Sequence, residues 1–229
     1  MAAAAGFEGI MINETRTKLA EFWRDLVCRL DGNDAEAEFV YWEILAKYYT
    51  EPHRHYHTLE HILKCSKTLH ELVAPYTIQR PEDLMQIALF FHDVIYDPKR
   101  KDNEERSSDV CVGACALVGI DRTIAGQAAR IILATKHTGI VPEDDRLTQW
   151  VLDVDLSSLG APPEEFDQDS ANIRKEYNFV PDDDYRKGRV KILQSFLDRP
   201  RIYFTDACHD RFEEQARANL ERAIRELST

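Results

Sequence analysis

The stretch LAEFWRDLVCRL, residues 19–30, contains the pattern that decides the fold. Its apolar residues Leu19, Phe22, Trp23, Leu26, Val27 and Leu30 recur at intervals of three and four, which places them on one face of an α-helix. The same interval returns along nearly the whole chain, and the every-second-residue alternation of a half-buried strand is almost absent. The spacing predicts helices over 13–31, 34–49, 57–74, 81–96, 104–118, 121–136, 143–154, 163–178, 182–198 and 206–227. Pro81-Glu82-Asp83 and Asp121 mark helix starts. The breaks are short: Asp31-Gly32-Asn33, Gly119, Gly139 and Gly160-Ala161-Pro162-Pro163. There is no long linker, low-complexity block or internal repeat, so the expected architecture is all-α, a single compact bundle of about ten helices. Residues 13–229 make up that domain. The small, weakly apolar start, 1–12 within MAAAAGFEGIMINETR, is expected to be a disordered N-terminal tail.

Bulk composition narrows the function. The chain has 229 residues, 44% of them hydrophobic, which is enough for a substantial core. Its 29 Lys and Arg stand against 41 Asp and Glu, a formal net charge of −12 spread along the chain. That charge argues against a nucleic-acid polymer or an anionic membrane as partner, while a local basic pocket remains compatible with a small phosphate ester. No apolar run reaches the roughly 18 residues of a membrane helix, and the start lacks the basic and apolar regions of a secretory signal. The five cysteines, Cys28, Cys65, Cys111, Cys115 and Cys208, are odd in number and mostly lie in apolar helical patterns. Reduced core thiols in a cytoplasmic protein are therefore expected. Cys111 and Cys115 stand one turn apart, but no CxxC pair supports a metal or redox role. Homo-oligomerisation is left open, because a sequence does not separate exposed apolar stripes from core ones.

Chemistry gathers around the histidines. Four of the eight crowd into EPHRHYHTLEHI, residues 51–62: His53, His55, His57 and His61. A helix starting near His57 or Thr58 puts His57 and His61 on one face, four residues apart. In FFHDVIY, residues 90–96, His92 and Asp93 sit side by side at the end of an apolar run, where two ionisable groups need a partner. His137 ends the helix of ILATKHTG, and VLDVDLSSLG sets Asp153 and Asp155 in an apolar stretch. Neutral imidazoles and carboxylates suit a divalent cation, whose charge offsets the burial of the acids.

The order His57, His92-Asp93, Asp155 on a helical background resembles the HD-domain superfamily of metal-dependent phosphohydrolases. RHYHTLEHI, LFFHDVIYDP, DNEERSS, ILATKHT and DVDLSSLG are similar to a subgroup known as predicted HD phosphohydrolases, over a span from about residue 40 to the last helix. The resemblance implies that His57, His92, Asp93 and Asp155 are metal ligands. Asp153 competes for the last place, since helical geometry does not point both acids the same way. Manganese, magnesium, iron, cobalt and zinc all fit such ligands.

The implied activity is hydrolysis of a small phosphorylated substrate, a nucleotide by family analogy. Asp93 stands among the catalytic residues; His61 and His137 are expected to contact substrate phosphate or a second metal. Glu104 and Glu105 are candidates for general base, and Arg54, Lys136 and Arg174 for phosphate binding. Structural readings compete for the outer residues: Asn103-Glu104-Glu105 is also an ordinary helix start, and Arg174 with Glu176 an ordinary surface pair. The 182–227 region reads as amphipathic scaffold, with Phe196, Leu197, Phe212, Leu220 and Ile224 facing a core. A nonhydrolytic nucleotide-binding regulatory module and, with less support, a diiron oxygenase of the same fold are the alternatives.

Overall fold

A computed structural model describes residues 2–74, 79–138 and 141–229. The chain is all-α, and no strand occurs among the described residues. Ten α-helices follow in order: α1 Ala2–Arg29, α2 Asp34–Val40, α3 Leu59–Val73, α4 Gln79–Phe91, α5 Asn103–Leu117, α6 Arg122–Ala134, α7 Arg146–Asp155, α8 Pro163–Glu176, α9 Asp182–Leu197 and α10 Asp206–Leu227. Wider π turns continue α2 over Tyr41–Ala46, and a 3-10 segment, Leu156–Gly160, follows α7. Residues 2–12, for which the composition predicts a tail, belong to the first helix. The break at Gly139 lies outside the described residues. No described helix is long and apolar enough to cross a membrane.

The periodicity predicts one domain over 13–229; the helices gather into two compact units, 1–136 and 137–229. In the first, the apolar face of 19–30 is wholly buried at Leu19, Trp23, Leu26 and Val27. Trp23 meets Phe90 and Phe91 of α4 edge-on, each at 5.5 Å between ring centroids, and its indole N–H donates to the Ala37 carbonyl at 3.0 Å. Each such side chain contributes about 1.5–3 kcal/mol by burial. The end of α4, where His92 and Asp93 follow, is thus seated on the core. Asn33 starts α2 by accepting from the N–H groups of Ala35 and Glu36, at 3.0 and 3.4 Å.

In the second unit, the 3-10 segment after Asp155 packs closely on α10. A Cβ built at Gly160 meets the Phe212 backbone oxygen at 2.7 Å, so only glycine permits this approach. Asn219 completes the contact, its amide donating to the carbonyls of Leu159 and Ala161 at 2.9 and 2.8 Å. Thr205 opens α10 by accepting from the Cys208 N–H. Four of the five cysteines are buried thiols, Cys28 is exposed, and none forms a disulfide.

Candidate metal centre

His61, His92 and Asp93 turn one ligand atom each toward a common point in the first unit, all within 4.8 Å of one another. The His61 and His92 Nε2 atoms stand 3.2 Å apart. Asp93 Oδ2 lies 3.0 Å from His92 Nε2 and 3.9 Å from His61 Nε2. Both histidines are buried, and Asp93 is partly exposed.

The tautomer of His92 follows from its second nitrogen. His92 Nδ1 is 2.9 Å from the Leu89 carbonyl, which can only accept, so Nδ1 carries the hydrogen. In the neutral ring the lone pair then lies on Nε2 and faces Asp93 Oδ2. Two acceptors at 3.0 Å repel unless a proton or a cation lies between them. Two imidazoles and a carboxylate are a donor set that divalent first-row metals accept.

Chain geometry selects His61 over its neighbour. The sequence pattern predicts His57 and His61 on one helical face, but α3 begins at Leu59, so His57 lies in the loop and only His61 occupies the first turn. His57 Nε2 is 4.0 Å from Asp93 Oδ2, and its ring stacks on Tyr96 at 3.9 Å between centroids. His57 thus flanks the three atoms that converge, and His61 is one of them.

The turn carrying His92-Asp93 is held from both sides. Arg54 is buried and donates to the carbonyls of His57, Asp93 and Val94 at 3.2, 2.6 and 2.9 Å, with Nε on Glu51 at 3.1 Å. Its guanidinium lies over the Tyr49 and Tyr96 rings at 5.1 and 5.6 Å. Expected to bind substrate phosphate, Arg54 instead has its donors engaged by the site's own backbone. On the other side, the Asn103 amide bonds both ways with the Asp97 backbone, at 3.1 and 2.9 Å. Ser107 does the same with Ile95, at 3.1 and 3.3 Å. The DNEERSS motif therefore has a structural role that spacing did not reveal.

Glu104 and Glu105 stand in the first turn of α5. Burial pushes the half-buried Glu104 carboxyl above the usual range. The Lys136 ammonium lies 3.8 Å from Glu104, pairs closely with Glu105 and donates to the Lys101 carbonyl at 3.1 Å. The Glu105 hydrogen bond holds its carboxyl below and the Lys136 ammonium above their ordinary values. Lys136, also expected on phosphate, is tied to these acids.

In the second unit, His137 Nε2 is 3.0 Å from Asp155 Oδ2. His137 adopts a left-handed backbone, φ 54°, and its buried Nδ1 has no hydrogen-bond partner among the described residues. Asp153 is otherwise occupied: its carboxylate accepts from the Phe204 N–H at 2.8 Å and from the Thr205 N–H and hydroxyl, both at 2.7 Å. Burial pushes the Asp153 carboxyl up to about 6 despite these donors. Of the two acids in DVD, Asp155 is the partly exposed one.

Arg174 does not serve a site of this kind. It closes the end of α8, donating to the Tyr177 and Val180 carbonyls at 2.6 and 3.0 Å, and pairs with Asp182. Arg199, which spacing did not single out, lies over the Phe196 ring at 4.6 Å and donates to the His137 carbonyl at 3.3 Å. Burial lowers its pKa from the ordinary arginine value. No carboxylate among the described residues of its unit pairs with it, and only its contact with the His137 backbone, absent from any sequence, brings it to notice.

The chain is thus a helical protein with a His/Asp group suited to a metal ion. Comparison with protein-family models, with curated proteins and with solved structures finds no match.

Proposed function

We propose that this chain is a metal-dependent phosphohydrolase of the HD superfamily, acting on a small phosphate ester, a nucleotide by family analogy. One observation carries the reading: His92 Nε2 lies 3.0 Å from Asp93 Oδ2 and 3.2 Å from His61 Nε2, so three donor atoms converge. A bound cation would draw on all three. His61, His92 and Asp93 are the ligands, and the motif order assigns Asp155 as the fourth.

A divalent cation supplies a Lewis acid for a phosphoryl oxygen and raises the acidity of water. The protein's own groups do the rest. Glu104, with its carboxyl raised by burial, accepts the proton of the attacking water. Lys136 holds Glu105 and Glu104 in place. His137 holds the Asp155 carboxylate through Nε2.

The test is elemental analysis of wild type and Asp93→Ala, followed by turnover of nucleoside mono-, di- and triphosphates by the manganese-loaded proteins. The expected result is about one metal ion per wild-type chain, little in the variant, and turnover confined to wild type. Equal metal in a folded Asp93→Ala protein would sink the reading. Tight nucleotide binding with no turnover under any divalent ion would make the chain a regulatory module, and two irons with oxygen consumption an oxygenase.

A further inference from the structure

The groove between α8, α9 and α10 carries two arginines that make no ion pair among the described residues. It encloses about 410 Å³, within the range of small-molecule sites, and its lining includes Phe166, Ser170, Tyr185, Arg186, Arg189 and Leu193. Phe166 and Leu193 are buried and form an apolar floor. Every acid on its wall is already paired: Asp167 with Arg222 at 2.7 Å, Glu226 with the same arginine at 3.4 Å, and Asp182 with Arg174. Arg174 is held further by the Tyr185 ring, 4.6 Å below its guanidinium.

Arg186 and Arg189 remain. They stand three residues apart on α9 and share one face, and among the described residues neither has an ion pair or hydrogen bond to a carboxylate. Arg186 also lines an adjoining depression with Lys187, Lys191 and Asp183. Both guanidinium groups thus keep hydrogen-bond donors that no acid of the described residues engages.

We propose that this groove is a second ligand site, taking the phosphate of a small phosphorylated molecule on Arg186 and Arg189 and its apolar body on Phe166 and Leu193. Two arginine forks match the oxygens of a phosphate monoester. The site lies wholly within residues 166–227 and does not depend on the proposed metal chemistry.

Calorimetric titration of the full chain with AMP, in EDTA, tests it, with inorganic phosphate as a second probe. AMP is expected to bind wild type and Asp93→Ala equally. Binding should weaken at least about tenfold in Arg186→Gln/Arg189→Gln. It should also weaken in Arg186→Lys/Arg189→Lys, which keeps the charge and the fold but loses the fork. Three results would overturn the proposal: neither probe binds at millimolar concentration, either double variant binds as wild type does, or binding disappears in Asp93→Ala. The last would move AMP to the metal centre. Since metal content is measured separately, failure here leaves the phosphohydrolase reading standing.

Discussion

Arg54 Nη1 donates to the backbone carbonyl of Asp93 at 2.6 Å, tying the loop before α3 to the turn after α4. The same buried guanidinium also donates to the His57 and Val94 carbonyls. Arg54→Met removes donors from three carbonyls at once and takes the guanidinium from Glu51. Unfolding in urea is expected to show a loss of about 3 kcal/mol or more. Arg54→Lys, which reaches one carbonyl at best, should retain the fold and weaken metal binding by about 10–100-fold, as loss of a group orienting ligands does. An Arg54→Lys protein with wild-type metal affinity would remove the positioning role.

Asp153 and Asp155 separate stability from chemistry. In Asp153→Asn an amide nitrogen must face the N–H of either Phe204 or Thr205, since both carboxylate oxygens accept from backbone donors. The expected loss is about 2–3 kcal/mol, read from the urea midpoint. Asp155→Asn keeps an amide oxygen to accept from His137, so its midpoint should stay near wild type while metal affinity falls. The reverse pattern would make Asp153 the ligand and Asp155 the anchor.

This pair also marks where the sequence stops being legible. Helix positions are local: the apolar period, Asn33 before α2, Asp121 before α6 and Pro163 at the start of α8 each act within a few residues, and the predicted helices lie close to the observed ones. The choice between Asp153 and Asp155 depends on Thr205, about fifty positions away, and no spacing rule reaches that far. Arg54 is similar. A charged residue in a polar loop reads as available for substrate, and only the carbonyls of Asp93 and Val94 show it is not.

Gly160 tests the packing that follows Asp155. Its Cα approaches Phe212 so closely that an added methyl group would lie 2.7 Å from both the Phe212 Cβ and its backbone oxygen. The backbone of α10 cannot give way without disturbing the Asn219 bonds to Leu159 and Ala161. Gly160→Ala is therefore expected to cost about 1–3 kcal/mol by overpacking, measured by thermal unfolding. A neutral or stabilising effect, as entropy alone would give at an open glycine, would show that this approach is looser than described.

His57 and His61 provide the sharpest discrimination in the metal centre. Motif resemblance assigns the first ligand to His57, whereas geometry places His61 Nε2 3.2 Å from His92 Nε2 and leaves His57 beside Asp93 at 4.0 Å, stacked on Tyr96. A ligand contributes a bond to the ion; a flanking ring contributes at most orientation, worth about 10–100-fold in affinity. His61→Ala should therefore lose metal to the extent that Asp93→Ala does, while His57→Ala should still load at higher metal concentration. Competition with a chelator of known affinity, run on the three variants and wild type, reads this directly. Removing the buried His61 ring also opens a cavity, so His61→Gln serves as a fuller-volume companion and should be equally deficient. If His57→Ala were the metal-free protein and His61→Gln loaded normally, the ligand set would revert to the one the motif implies, and His61 would be a packed neighbour of Cys65 and Tyr56.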